Sequence, residues 1–142
     1  MLYTVGYERR DIDSFVALLQ RHAVDELIDV RLTPSSRKPG FSKTRLAQAL
    51  DEAEISYRHL RELGNPRENR DGFRKRQQAA FDVYREHLGN GSRHAVDEVV
   101  KAAKGSTVAL LCFERDVLTC HRHIITDVAQ ELDPRLPVLH IE

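Results

Sequence analysis

Tryptophan is absent from the 142 residues, methionine occurs once and cysteine twice. Two cysteines cannot build the disulfide framework of a small secreted domain, so a reducing, cytoplasmic setting is expected. No apolar run approaches the about 20 residues that a membrane helix needs, and no membrane partner is expected. The opening MLYTVGYERR enters a strand-like segment at once, so no signal peptide is expected. Net charge is missing as well. Basic and acidic residues cancel at 22 each, and no overall field draws the chain to nucleic acid or a membrane. Lysine is scarce: 5 lysines stand against 17 arginines, and arginine carries the planar fork that suits carboxylates and phosphates. Neither G-x-G-x-x-G nor a Walker loop occurs, which removes the known dinucleotide and P-loop modes and leaves the cofactor unknown. There is no repeat, linker or low-complexity tract.

What is present is an alternation of short apolar runs with amphipathic stretches. Strands are expected at LYTVG (2–6), ELIDVR (26–31), SYRHL (56–60), STVALLCF (106–113) and PVLHIE at the end of the chain. Between them lie helical periodicities: Ile12, Phe15, Val16 and Leu19 after an Asp11 cap, and Leu46, Ala49, Leu50 and Ala53 after Ser42. A long helix is expected over FRKRQQAAFDVYREHL, ended by GNG. Another follows Ser92, with Val96, Val99, Val100 and Ala103 inward. The last begins at Cys120, with Ile124, Val128 and Leu132 on one stripe. The run in STVALLCF is apolar on both faces, as in a central strand covered front and back. This pattern gives a single α/β domain over 1–142, a layered sandwich of about five mostly parallel strands with helices on both faces. The segment 61–90 is its least regular part and a candidate for mobility.

In open parallel sheets, ligands sit beyond the carboxyl ends of the strands. Tyr7 and Glu8 follow the first strand. Arg31 ends the second on the same face as Asp29, and Ser35, Ser36, Arg37 and Lys38 lie in its loop. Cys112 and Glu114 end the fourth, and Cys120, His121 and Arg122 open the last helix. Taken singly, Arg31 is best read as the ion-pair partner of Asp29, and Arg37 and Lys38 as solvated loop charges. Their convergence on one rim, beside a helix N-terminus that favours anions, supports a site.

The segments LYTVGYERRDIDSFVALL, ELIDVRLTPSSRKPGF, LAQALDEAEISYRHLRELGNPR and LLCFERDVLTCHRHII together resemble the domain of unknown function family 488. Members similarly begin with a T-[IV]-G strand. They carry DVR with a downstream Ser-Arg and Phe, a Y-x-H-L-x-x-L-G segment and a C-x-E-x(5)-C-H-R signature. Tyr7-Glu8 depart from the His-Ser of many members. The resemblance covers almost the whole chain and implies a fold and a set of residues, but no reaction.

Cys112, Glu114, Cys120, His121 and Arg122 admit four chemistries. A closed zinc site is disfavoured: the cysteines are eight apart rather than in a C-x(2–4)-C pair. Cys120 and His121, as helical neighbours, would also point about 100° apart, and a fourth ligand such as His59 would be needed. A thiol nucleophile at Cys120 has suitable neighbours, yet Leu118 and Thr126 stand where a phosphatase-type loop would need arginine. Cys120 is equally well read as a packed core thiol. A redox pair lacks C-x-x-C. An anion pocket accommodates most of the residues: Arg31, Arg37 and Arg122 as contacts, with Ser36 and Tyr7 beside them.

The expectation is therefore an anionic or phosphorylated ligand, a nucleotide or nucleic acid, bound at the carboxyl rim. Glu114, His121 and Cys120 are the catalytic candidates, and Cys112 is a ligand-contacting or packing thiol. The alternatives are a thiol- or metal-dependent enzyme using Cys112, Glu114, Cys120 and His121, and a non-catalytic interaction module. The arginine-rich stretch 58–76, with Phe73 among the cations, is a candidate nucleic-acid contact. A solvated, salt-bridged surface is the favoured reading of it.

Overall fold

Strict two-residue alternation in the strands decides which helices cover which side of the sheet. The computed structural model describes residues 1–142. Its strands are β1 (Leu2–Gly6), β2 (Glu26–Asp29), β3 (Ser56–His59), β4 (Val108–Cys112) and β5 (Val138–Ile141). All pair in parallel, in the order β3-β2-β4-β1-β5. The helices are α1 (Ile12–Arg21), α2 (Lys43–Glu52), α3 (Arg70–Arg74), α4 (Gln78–Gly89), α5 (Arg93–Gly105) and α6 (Arg122–Leu132). No helix is long and apolar enough to cross a membrane.

On one face Val5, Leu27, Ala109, Leu111 and Ile141 meet Phe15, Leu18 and Leu19 of α1 and Leu46 and Leu50 of α2. On the other, Leu2, Ile28, Val108, Leu110 and Cys112 meet Tyr84 and Leu88 of α4, the valines of α5, and Ile124, Ile125 and Val128 of α6. β4 is buried along its whole length. Each fully buried Leu, Ile or Val contributes about 1.5–3 kcal/mol relative to exposure, so the central strand anchors both layers. The expected α/β sandwich, with helices on both faces, is the observed one.

Chain direction then locates the crevice. The connections after β1 and β2 run to the α1/α2 face, whereas the connection after β4 runs to the α6 face. β4 lies between β1 and β2, so the strand order reverses at its carboxyl end, where ligands seat in folds of this kind. Gly6 makes the rim tight. A Cβ there would lie 2.0 Å from the Glu114 carbonyl oxygen, so only glycine lets the loop after β4 lie across the end of β1.

Several boundaries differ from the sequence expectation. β2 ends at Asp29 rather than Arg31, because the next two carbonyls leave the ladder: Val30 O accepts from His121 Nε2 at 2.8 Å, and Arg31 O from His59 Nε2 at 2.7 Å. Asp11 caps α1 as expected, accepting from Ser14 N at 2.7 Å, a contribution of about 1 kcal/mol. Ser42 and Ser92 precede their helices without a side-chain capping bond. Ser42 Oγ pairs instead with the Ser36 backbone.

The long helix expected over 73–88 is broken into α3 and α4 by Lys75–Gln77, with Arg76 at φ 54°. The cause is aromatic packing. Phe73 reaches Phe81 at 4.9 Å between ring centroids, whereas residues eight apart on one helix are about 12 Å apart along its axis. The bend also presses Gly72 onto Ala80, where a Cβ would come within 2.7 Å of the Ala80 Cβ. Thus the segment 61–90 consists of two single 3-10 turns (Arg61–Leu63 and Arg67–Asn69), α3 and α4.

Candidate functional site

Two buried polar groups form where β2 and β4 end. On the α1/α2 side, Arg31 donates from Nε to Asp29 Oδ1 at 2.9 Å and from Nη2 to Asp29 Oδ2 at 2.7 Å. Its Nη1 donates to Phe41 O at 2.7 Å and reaches Tyr7 Oη at 3.4 Å. Tyr57 Oη donates to Asp29 Oδ2 at 2.6 Å. Burial alone would lower the Arg31 pKa, but the hydrogen bonds and charge of Asp29 outweigh it and the pKa is raised. The Tyr57 hydroxyl is raised as well, by burial first and then by its bond to Asp29. Arg31 is thus held as the partner of Asp29.

On the α6 side, Cys112, Cys120 and His121 bring Sγ, Sγ and Nδ1 within 4.8 Å of one another. Cys112 Sγ lies 3.3 Å from Glu114 Oε2 and 3.8 Å from His121 Nδ1, and Cys120 Sγ lies 3.6 Å from the same nitrogen. Both thiols are free and buried. The Val30 carbonyl can only accept, so the 2.8 Å bond from Nε2 assigns the imidazole proton there. Nδ1 then presents a bare lone pair to the two sulfurs. The Tyr84 ring packs edge-on against this imidazole at 5.2 Å, and its hydroxyl donates to Leu63 O at 2.6 Å.

Convergence of neighbouring side chains follows from the backbone. Cys120 lies outside α6 in an extended conformation (φ −127°, ψ 149°), after a 3-10 turn at Val117–Thr119. His121 is the helix cap, in the right-handed region. The 100° separation expected of two helical neighbours therefore does not apply, and both side chains turn to one point.

Electrostatics set the resting state. The Cys112 thiol is pushed well up, first by the Cys120 sulfur beside it and then by burial, with His121 opposing. For His121, burial disfavours the imidazolium, but the Cys112 sulfur, the Val30 carbonyl and Glu114 outweigh it and raise the pKa. These two tendencies do not act together, because a protonated Cys112 supplies no charge to hold an imidazolium. A neutral thiol beside a neutral imidazole is the pair expected near pH 7.

Both groups face one cavity of about 200 Å³. Its walls include Tyr7, Arg31, Cys112, Glu114, Cys120 and His121, six of the nine site residues expected from sequence. Ser36 turns to Ser42 and to the Lys38 amide, while its neighbour Ser35 lines the wall. Arg37 is exposed on the loop and does not line the cavity. Arg122 is fully buried behind the wall. Its Nη2 donates to Glu114 O at 2.7 Å, and its Nε and Nη1 have no partner. It positions the loop that carries Glu114. His59, the suggested extra ligand, is bonded to Arg31 O instead.

Asn65, Arg70, Phe73 and Arg74 also line the cavity. In the sequence they belonged to the polar stretch 58–76, and only the α3 bend brings them to the rim. Arg74 lies 3.9 Å from Glu114, and Arg70 takes part in none of the ion pairs. Elsewhere in that stretch Arg58 pairs with Glu26, Lys75 with Asp71 and Arg76 with Asp116.

No curated protein and no solved structure matches this chain. The family model described as Domain of unknown function DUF488 matches residues 11–129, which include both polar groups and most of the cavity wall. The family resemblance read from the sequence is thereby supported, and the chain belongs to the DUF488 family.

Proposed function

We propose that the protein is an enzyme acting on a small anionic substrate seated in the rim cavity. One observation carries this reading: Arg70 and Arg74 line the same cavity as Cys112, Cys120 and His121. At about 200 Å³ the cavity is smaller than the about 300–1,000 Å³ of sites that enclose drug-sized ligands. It suits a phosphate- or carboxylate-bearing small molecule, or the reactive end of a larger one. Arg31 contributes a rigid wall, since its fork is engaged by Asp29. Arg70 supplies an unpaired cation, and Arg74 can exchange its long contact with Glu114 for the substrate.

His121 Nδ1 is the base of the site, its lone pair facing only the two thiols and its other nitrogen anchored on Val30. Glu114 is the second proton-transfer group, 3.3 Å from the Cys112 sulfur. A protonated Cys112 is a weak nucleophile, so imidazole and carboxylate carry the proton steps.

The test is a thermal-shift series at low salt with phosphate, nucleoside monophosphates, dicarboxylates and short single strands. At least one anion should raise the melting temperature, and the double variant Arg70→Gln/Arg74→Gln should lose that rise. Once a turned-over anion is found, Glu114→Gln should abolish product formation while the thermal shift persists. Stabilisation without product from any such anion would indicate a binding module, and no stabilisation by any anion would remove the reading.

A further inference from the structure

The Cys112–Cys120–His121 group gathers more metal-binding atoms than its hydrogen bonds need: the Cys112 thiol donates to Glu114 Oε2 and the Cys120 thiol faces His121 Nδ1. One imidazole lone pair accepts one thiol hydrogen, yet two sulfurs stand at 3.8 and 3.6 Å from Nδ1, and a carboxylate oxygen stands 3.3 Å from one of them. Hydrophobic packing explains two buried thiols but not their convergence with a lone pair and a carboxylate. The two sulfur–nitrogen separations are close to the edges of a coordination tetrahedron, and the sulfurs lie within 4.8 Å of each other. With Zn–S about 2.3 Å and Zn–N about 2.0–2.1 Å, sulfur and nitrogen ligands lie about 3.6 Å apart and two sulfurs about 3.8 Å.

We propose that Cys112 Sγ, Cys120 Sγ and His121 Nδ1 bind one zinc-like divalent cation, with Glu114 Oε2 or a substrate atom at the fourth position. Three further features fit. The second imidazole nitrogen is held by the Val30 carbonyl, the outer-shell bond that orients metal-ligating histidines. Two thiolates and one imidazole suit a borderline-soft ion rather than magnesium or calcium. The cavity adjoins all three ligands, so the fourth position faces substrate, as in catalytic rather than closed structural sites.

Binding balances in charge and protons. Each sulfur exchanges its S–H bond for a bond to the ion and releases one proton to water, and Nδ1 gives its lone pair and releases none. With a neutral atom at the fourth position the two thiolate charges cancel the dication; with the Glu114 carboxylate there, one negative charge remains and faces Arg74, 3.9 Å from Glu114. This deepens the reading of the cavity as a reaction centre and rests on that reading only for the use of the fourth position; with the ion bound, Nδ1 serves as a ligand and Glu114 keeps the proton-transfer role. There the ion would polarise a substrate oxygen or lower the pKa of a bound water.

The test titrates the reduced, chelator-treated protein with Co²⁺ and then Zn²⁺, after a thiol assay has confirmed that both cysteines are free. One ion per chain is expected. Cobalt should give a thiolate charge-transfer band in the near ultraviolet and visible bands of tetrahedral intensity. Calorimetry in buffers of different ionisation enthalpy should show close to two protons released per zinc. Cys112→Ser and Cys120→Ser should each lose the charge-transfer intensity of one sulfur and weaken zinc by more than about 100-fold, beyond the 10- to 100-fold typical of an outer-shell partner. Glu114→Gln should keep the ultraviolet band. No band in wild-type protein with two free thiols would overturn the proposal, as would a band unchanged in Cys120→Ser. Phosphate thermal shifts are read separately: stabilisation by phosphate without a cobalt band removes the metal and leaves the anion reading, and the converse removes the anion reading alone.

Discussion

Asp29 and Arg31 at the end of β2 and Tyr57 of β3 are locked by short charged hydrogen bonds on one face of the sheet, whereas Cys112, Cys120 and His121 on the other face are joined only by long thiol contacts. In the first group both Asp29 oxygens and all three Arg31 nitrogens are engaged. In the second, two protonated thiols meet one imidazole lone pair and one Glu114 carboxylate oxygen over 3.3–3.8 Å. Both adjoin the same cavity. A saturated charged network rigidifies the rim it occupies, and weakly held thiols beside an imidazole retain the capacity to bind or react. The first is read as the frame and the second as the site.

The largest expected effect tests the frame. Asp29→Ala strands the Arg31 guanidinium in a buried position, and removal of one partner of a buried pair costs about 3–5 kcal/mol. Urea denaturation measures it, and a loss below about 1 kcal/mol would show that water reaches Arg31 freely. Next is Tyr84→Phe, which keeps the ring against His121 but leaves Leu63 O unpaired. It should cost about 1–3 kcal/mol, with no loss of the cobalt charge-transfer band.

A pH series on metal-free protein sharpens the contrast between the two groups. The Cys112 thiol is raised in the folded state, so the folded chain keeps a proton that the unfolded chain releases above the ordinary thiol value of about 8.5. Stability should therefore fall as pH rises from about 8.5 towards 10, and Cys112→Ser should reduce that slope. Arg31 keeps its charge throughout this range and contributes no slope. The smallest effect is at the surface. Arg85 contacts Glu131 through both carboxylate oxygens, but both side chains are largely exposed, and Arg85→Ala should cost at most about 1 kcal/mol. A larger loss would place the strength of this fold in surface charge rather than in the buried frame.

The strands were legible in sequence because alternation of two is a local property. Leu27 and Asp29, or Leu110 and Cys112, share a face whatever else the chain does. Cys112, Glu114, Cys120 and His121 were legible as candidates because they lie within ten residues of one another. Their convergence was not, because it depends on an extended Cys120 just before the helix. Arg70 and Arg74 were hidden for a different reason. They reach the cavity through the α3 bend, which long-range packing of Phe73 against Phe81 and Tyr84 imposes on a helical pattern. Arg122 has an apt residue type in an apt segment, yet its helical phase carries it behind the Glu114 carbonyl, away from the cavity.

The most direct measurement is anomalous diffraction at the zinc edge from crystals of reduced protein grown with equimolar zinc. A single peak is expected, about 2.3 Å from Cys112 Sγ and Cys120 Sγ and about 2.0–2.1 Å from His121 Nδ1, open towards Arg70 and Arg74. Full thiol content with no peak at that point, or with zinc only on surface histidines such as His94, would contradict the assignment of this cluster as a metal site.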